Sequence, residues 1–271
     1  MERKFDYKIV KAKNQPAKEK LLFIHGYAVD ISYWTFIEDK FPNYDLYFIN
    51  LPGHGNLKVS NDINEMKEKL RLDYMAQYVI DFINDQKLNN FILIGHSMGG
   101  EIASLVENKC RDKIKKFILI SPMNYASIYT GVRFVTKFFP KNMKQKMVLL
   151  SYLYKDIDSR KNDKEWMRMN EEQLQNQLQQ WDQMKFLGKK EMANFKTLLK
   201  IHKAQKNIKM PFMLCLGKYD GCVKYKPTKR NFLKHHKDKM HLVTFEKSSH
   251  LCFEEETDKF VKEITNYIDG K

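Results

Sequence analysis

The sequence predicts an α/β protein, a mostly parallel open sheet with helices on both faces and a helical cap inserted into it. Two observations lead there. Through the first 120 residues short apolar runs alternate with longer helical patterns. The strand signal then stops for a long Lys-, Gln- and Met-rich stretch and resumes before the C-terminus.

Four early runs, Leu21-Leu22-Phe23-Ile24, Leu46-Tyr47-Phe48-Ile49, Phe91-Ile92-Leu93-Ile94 and Phe117-Ile118-Leu119-Ile120, are continuously apolar. Strands buried on both faces, as inside a parallel sheet, have that composition. Between the second and third runs, Leu70, Tyr74, Tyr78 and Phe82 recur every four residues beside Met75, Val79 and Ile83. They mark the broad apolar face of a crossover helix. From about Met123 to Lys209 there is no convincing strand but several helix-compatible stretches rich in Lys, Gln, Met and aromatics. Phe212 to Leu216 and His241 to Phe245 restore the strand signal, and Phe260, Val261, Ile264, Tyr267 and Ile268 outline a closing amphipathic helix. The expected division is a core domain at 1–122 and 210–271 with a cap at 123–209. No Pro/Gly-rich linker joins them, so the cap should sit on the sheet domain rather than hang from it.

Composition sets the bounds. With 271 residues, 43% of them hydrophobic, the chain can bury a full core and is no disordered tail. No apolar run approaches the roughly 20 residues that a bilayer-crossing helix needs. The N-terminus, Met-Glu-Arg-Lys-Phe-Asp-Tyr-Lys, leads into no signal-type apolar region, and a soluble cytoplasmic protein is the expectation. Cys110, Cys215, Cys222 and Cys252 stand singly, without CxxC pairs or metal-type spacing to histidine. That argues for reduced thiols and against a zinc site or disulfide framework. The net charge is +15, and residues 123–209 alone hold 18 basic and 8 acidic side chains. Such a balance attracts anionic partners. A coding bias toward A and T accounts for a lysine- and asparagine-rich chain equally well.

The chemistry concentrates in Gly95-His96-Ser97-Met98-Gly99-Gly100, a Gly-x-Ser-x-Gly directly after a strand pattern and directly before a helical one. A serine on a sharp strand-to-helix turn needs small neighbours, which Gly95 and Gly99 supply. The following helix, with Ile102, Ala103, Leu105 and Val106 as its buried stripe, would aim its N-terminal N–H groups at the same spot. A serine hydroxyl is a weak nucleophile near neutral pH and requires a base held by an acid. Asp220 follows the Phe212–Leu216 strand and His250 follows the Leu242–Phe245 strand, both at carboxyl ends where open parallel sheets build their sites. The order Ser97, Asp220, His250 is that of nucleophile-elbow hydrolases. His25-Gly26-Tyr27 follows the first strand, so the Tyr27 N–H together with the Met98 N–H can form an oxyanion hole. His25, His54 and His96 read as structural histidines, since buried polar side chains usually serve hydrogen bonding. Glu254, Glu255 and Glu256 lie near His250 in sequence but poorly for its Nδ1.

On these residues the chain resembles an α/β-hydrolase of the esterase, lipase and lysophospholipase group, monoacylglycerol lipases included. His25-Gly26-Tyr27 with Trp34 resembles the family's oxyanion loop, Leu51-Pro52-Gly53-His54-Gly55 its next turn, and Gly-His-Ser-Met-Gly-Gly its elbow. The resemblance implies an acyl-enzyme mechanism and no cofactor or metal. Two departures stand out: Asn56 replaces a frequent serine, and Gly221-Cys222-Val223 lacks a frequent proline. A serine nucleophile disfavours the dehalogenase and epoxide hydrolase branches, and the absence of a His-Gly-Gly-Pro-Gly run disfavours proline iminopeptidases.

In related folds the segment over the nucleophile is a lid. Here it would hold seven of the 14 methionines, Trp166, Trp181, and Tyr125, Tyr129, Phe134, Phe138, Phe139, Tyr152, Tyr154, Phe186 and Phe195. Such side chains can hold a flexible acyl chain or simply form the cap's own core. The expected function is a serine carboxylic-ester hydrolase for a lipid-like or small acyl ester. A thioesterase, a C–C bond hydrolase and a non-catalytic ligand-binding module remain alternatives. The expected partners are that ester and, through the basic cap, an anionic membrane surface; no nucleic-acid motif accompanies the charge.

Overall fold

Seven strands pair into one sheet: β1 (Tyr7–Val10), β2 (Glu19–Ile24), β3 (Tyr44–Ile49), β4 (Phe91–His96), β5 (Ile114–Ile120), β6 (Phe212–Gly217) and β7 (Met240–Phe245). The computed structural model describes residues 4–130 and 136–271, without the side chains of 128–130. Phe134 and the Tyr129 side chain therefore lie outside the described residues. The spatial order is β1-β3-β2-β4-β5-β6-β7, parallel throughout except for β1. That strand pairs antiparallel with β3, from Tyr7 opposite Ile49 to Val10 opposite Leu46. It is short, half-exposed and carries a lysine, so no apolar run announced it.

The strands' alternation divides the core in two. Leu22, Leu93, Phe117 and Leu214 point to one face, under α2 (Leu72–Asp85) and α3 (Met98–Cys110). Leu21, Ile92, Ile118 and Met213 point to the other, where α10 (Thr257–Asp269) supplies Phe260, Ile264 and Ile268 and the 3-10 segment Ile31–Lys40 supplies Trp34 and Ile37.

The crossover helix differs from its expected form. Leu70 caps α1 (Ile63–Lys69), its N–H bonded to the Met66 carbonyl at 3.0 Å, and Arg71 is extended before α2 begins. The four-residue recurrence thus spans two helices. Both still bury that side of the pattern, because Leu70, Met75, Tyr78, Val79, Phe82 and Ile83 all join one cluster.

Between β5 and β6 the chain holds only helices and turns among the described residues. These are α4 (Met143–Leu153), α5 (Lys164–Gln179), α6 (Trp181–Phe186) with a π-helical continuation Leu187–Met192, and α7 (Phe195–Lys206). Their buried side chains complete the sheet's own clusters. Leu187, Met192 and Ile201 join one face, and Leu150, Tyr154 and Trp166 the other. Val148, Met169, Phe195 and Leu199 are instead exposed, Phe195 the most at 55%. The chain closes with α8 (Tyr225–His236), the single turn α9 (Cys252–Glu255) and α10. Among the described residues no helix is long and apolar enough to cross a membrane. The four cysteines are buried and unbridged.

Candidate active site

The sheet order reverses beside β2: the chain steps from β2 outward to β3, then returns to β4 on the other side. The carboxyl ends of β2 and β4 flank that switch point, where open α/β sheets leave a crevice. Tyr27 follows β2, and Ser97 follows β4.

Ser97 has φ +53° and ψ −118°, a conformation that costs an L-residue about 1–3 kcal/mol and persists only where its surroundings enforce it. Here they do. Its N–H donates to the Ile120 carbonyl at 3.0 Å, and its carbonyl accepts from Gly100 N at 2.9 Å and Met123 N at 3.1 Å. The flanking glycines serve close approach. A Cβ on Gly95 would lie 2.5 Å from the Gly99 carbonyl oxygen, and one on Gly99 would lie 2.3 Å from that of Ile24. Gly99 therefore lets the start of α3 rest on the end of β2. On the other side of the crevice, a Cβ on Gly26 would stand 3.3 Å from Ser97 Cβ, so the Gly26–Tyr27 peptide is adjacent to the serine. The Met98 N–H, first in α3, has no helical carbonyl to bond.

His250 Nδ1 and Asp220 Oδ2 are 2.8 Å apart, with both side chains buried. The second Asp220 oxygen, Oδ1, accepts from Cys222 N at 2.8 Å and Val223 N at 2.7 Å. The missing proline now has a consequence, since a proline at 222 or 223 would remove one of these donors. The three glutamates after His250 hold its loop rather than its ring. Glu255 accepts from Ser249 N at 2.6 Å, Glu256 from Lys247 N at 2.9 Å, and Glu254 from the Tyr154 hydroxyl at 2.8 Å.

His96, the residue before Ser97, packs on His250. Its Nε2–H donates to the His250 carbonyl at 3.2 Å, its Nδ1 accepts from the Tyr33 hydroxyl at 3.3 Å, and its ring centroid is 4.7 Å from that of His250. Burial holds it well below the usual imidazole range. His25 and His54 do similar work for the loop after β2. The Leu51 N–H donates to His25 Nε2 at 3.1 Å, leaving Nδ1–H for the Gly26 carbonyl at 2.8 Å. The Ala28 N–H donates to His54 Nε2 at 3.2 Å, leaving Nδ1–H for the Pro52 carbonyl at 3.2 Å. Burial lowers His25 to about 4, and burial with the nearby His25 lowers His54 to about 3. Both are neutral at ordinary pH, and their tautomers follow from these bonds. Asn56, the other departure, donates its N–H to Asp6 at 2.8 Å.

Sequence reasoning missed the contribution of α4. The last carbonyls of a helix lack intrahelical partners, and those of α4 are met by the loops that carry Asp220 and His250. The Tyr152 carbonyl accepts from Gly221 N at 3.2 Å and Ser249 Oγ at 3.0 Å; that of Leu153 accepts from His250 N at 2.9 Å and Leu251 N at 3.3 Å. These are backbone groups, with no residue-type signal to read. An apolar cavity of about 40 Å³ lies beside the loop after β2, lined by Tyr27, Met123, Phe138, Gly188, Met192 and Ala193. The Tyr27 hydroxyl spans toward the helical segment, donating to the Met184 carbonyl at 2.8 Å.

Comparison with known proteins gives a consistent family. A model of the family described as "Serine aminopeptidase, S33" matches residues 15–257. "Putative esterase/lipase 1" of Mycoplasma pneumoniae is 27% identical over 252 residues, covering 92% of this chain and 90% of that protein. In fold, the esterase from Exiguobacterium antarcticum superposes with a TM-score of 0.75 at 13% identity, over 98% of this chain and 95% of that one. A meta-cleavage product hydrolase from Pseudomonas fluorescens superposes with a TM-score of 0.76 at 14% identity, over 98% and 94% of the two chains.

Proposed function

The chain belongs to the serine aminopeptidase family of α/β-hydrolases, and from that premise we propose that it is a serine carboxylic-ester hydrolase for a lipid-like or small acyl ester, such as a monoacylglycerol or lysophospholipid. The observation that carries this reading is the buried His250–Asp220 pair, its imidazole packed on His96, the residue before the positive-φ Ser97. Asp220 holds the Nδ1 proton of His250, which keeps Nε2 unprotonated and able to accept the Ser97 hydroxyl proton. Ser97 Oγ attacks the ester carbonyl, and the Tyr27 and Met98 N–H groups receive the oxyanion. The imidazolium returns its proton to the departing alcohol. Water, activated by the same nitrogen, then releases the acid from the acyl-enzyme.

Ester rather than peptide chemistry is favoured by the esterase/lipase names of relatives that match nearly end to end. The apolar cavity beside Tyr27 favours an acyl chain, with residues 123–209 as its cap.

The test is turnover of p-nitrophenyl esters from acetate to palmitate, with an acyl thioester and an aminoacyl p-nitroanilide alongside. Esters should be preferred, and Ser97→Ala should lower kcat by at least about 10³-fold. Preference for the thioester or the anilide would replace the ester reading. If folded protein turned over none of them and a fluorophosphonate failed to label Ser97, the site would be a ligand-binding one.

A further inference from the structure

Helices α7 and α8 carry no carboxylate. Phe195–Lys206 reads FKTLLKIHKAQK and Tyr225–His236 reads YKPTKRNFLKHH. They are neighbours, with the His202 and His235 rings 5.6 Å apart. Lys200 is committed to Asp73 at 2.7 Å, and Lys229 lies over the Tyr225 ring at 5.7 Å. Lys196, Lys203, Lys206 and Lys234 are exposed and form no ion pair among the described residues. Their charges crowd together: after burial, Lys206 and Lys234 are what holds His202 below the usual imidazole range.

This surface is also apolar in the wrong place for a purely solvated face. Phe195 is 55%, Leu199 43% and Leu233 37% exposed. Phe195, Leu199 and Lys203 follow at four-residue spacing and so form one stripe along α7. Phosphate groups alone give leucine side chains no role. An anionic bilayer uses both kinds, taking apolar side chains at the headgroup boundary and lysines on lipid phosphates. The surface also begins beside the candidate site: Ala193, which lines the apolar cavity next to Tyr27, is exposed and lies two residues before Phe195.

We propose that the α7–α8 face docks on an anionic phospholipid bilayer, with Phe195 and Leu199 entering the headgroup boundary and Lys196, Lys203, Lys206 and Lys234 resting on lipid phosphates. Docking in this pose brings the cavity mouth to the source of an acyl substrate. It places the contact on one helix of the inserted segment and one of the sheet domain, rather than on the basic cap as a whole.

The test is flotation of the full chain with vesicles of phosphatidylcholine alone or mixed with phosphatidylglycerol. Its readout does not involve hydrolysis, so it stands or falls apart from the ester reading. The chain should float only with the mixed vesicles and be released by high salt. The Phe195→Ser/Leu199→Ser double variant and the Lys203→Glu/Lys206→Glu/Lys234→Glu triple variant should each lower vesicle affinity at least about tenfold. Their thermal midpoints by circular dichroism should match wild type, since all five side chains are at the surface. No flotation with mixed vesicles at low salt would overturn the proposal. So would wild-type affinity in the apolar double variant, or tighter binding to a DNA oligonucleotide than to the vesicles.

Discussion

Asp220 divides its two oxygens, one on His250 Nδ1 and one on the backbone of its own loop. Its direction is therefore fixed from two sides. Glu101 is the opposite case. It sits one turn after Ser97 in α3, fully buried, and neither carboxyl oxygen has a hydrogen-bond partner among the described residues. Burial, with nearby Glu191, pushes it from the ordinary 4.5 up to about 8. A carboxyl that binds its proton more tightly in the folded state makes stability fall as pH rises between those two values, and level off above the higher one. The folded protein should thus lose up to roughly 1.4 kcal/mol per pH unit across that window through this group. Glu101→Gln should match wild type in urea midpoint near about pH 5 and exceed it near about pH 9. Equal midpoints at both would show that the carboxyl is hydrated or paired in solution.

At the scale of elements, α4 is the support of the Asp220 and His250 loops. Its last two carbonyls take four hydrogen bonds from Gly221, Ser249, His250 and Leu251. Only one of those donors is a side chain. The Ser249 hydroxyl lies within reach of both the Tyr152 carbonyl and, at 3.2 Å, the Tyr219 carbonyl. Ser249→Ala should cost about 1 kcal/mol of stability. As a positioning change it should lower kcat for the preferred ester about three- to tenfold while leaving KM within about twofold, and Ser249→Thr should restore most of it. A loss confined to stability, with kcat unchanged, would make the serine a purely structural bridge. The same element explains a limit of sequence reading. Asp220 and His250 were legible from their strands and order, whereas the support of their loops comes, the Ser249 hydroxyl apart, from main-chain atoms that any residue possesses.

Over the whole molecule, the inserted helices and the sheet share their apolar clusters. Leu150, Tyr154 and Trp166 pack with Ile118 and Met213 on one face, and Leu187, Met192 and Ile201 with Leu93 and Leu214 on the other. Side chains that could have formed a separate small core instead cover the sheet. Such sharing predicts a single cooperative unfolding transition. Trp166 and Trp181 lie in the inserted segment and Trp34 under the sheet, so urea midpoints from tryptophan fluorescence and from far-ultraviolet circular dichroism should coincide. Two resolved midpoints would mean that the helical segment unfolds on its own.

The sequence by itself determined the α/β class, six of the seven strands, and the elbow at Ser97. Apolar runs and small flanking residues are local requirements of chemistry and packing, written where they act. It also placed Asp220 and His250 after strands, because a parallel sheet collects strand ends on one side. Only the tertiary structure decided that β1 pairs antiparallel at the edge, that the crossover breaks at Arg71, and which distant groups His25, His54 and His96 bond around the crevice. It alone showed α4 holding both catalytic-candidate loops and Phe195 facing water. Each of these depends on which distant groups meet. A half-polar strand, a helix-end carbonyl or an exposed ring has no local pattern to mark it until its neighbours are in place.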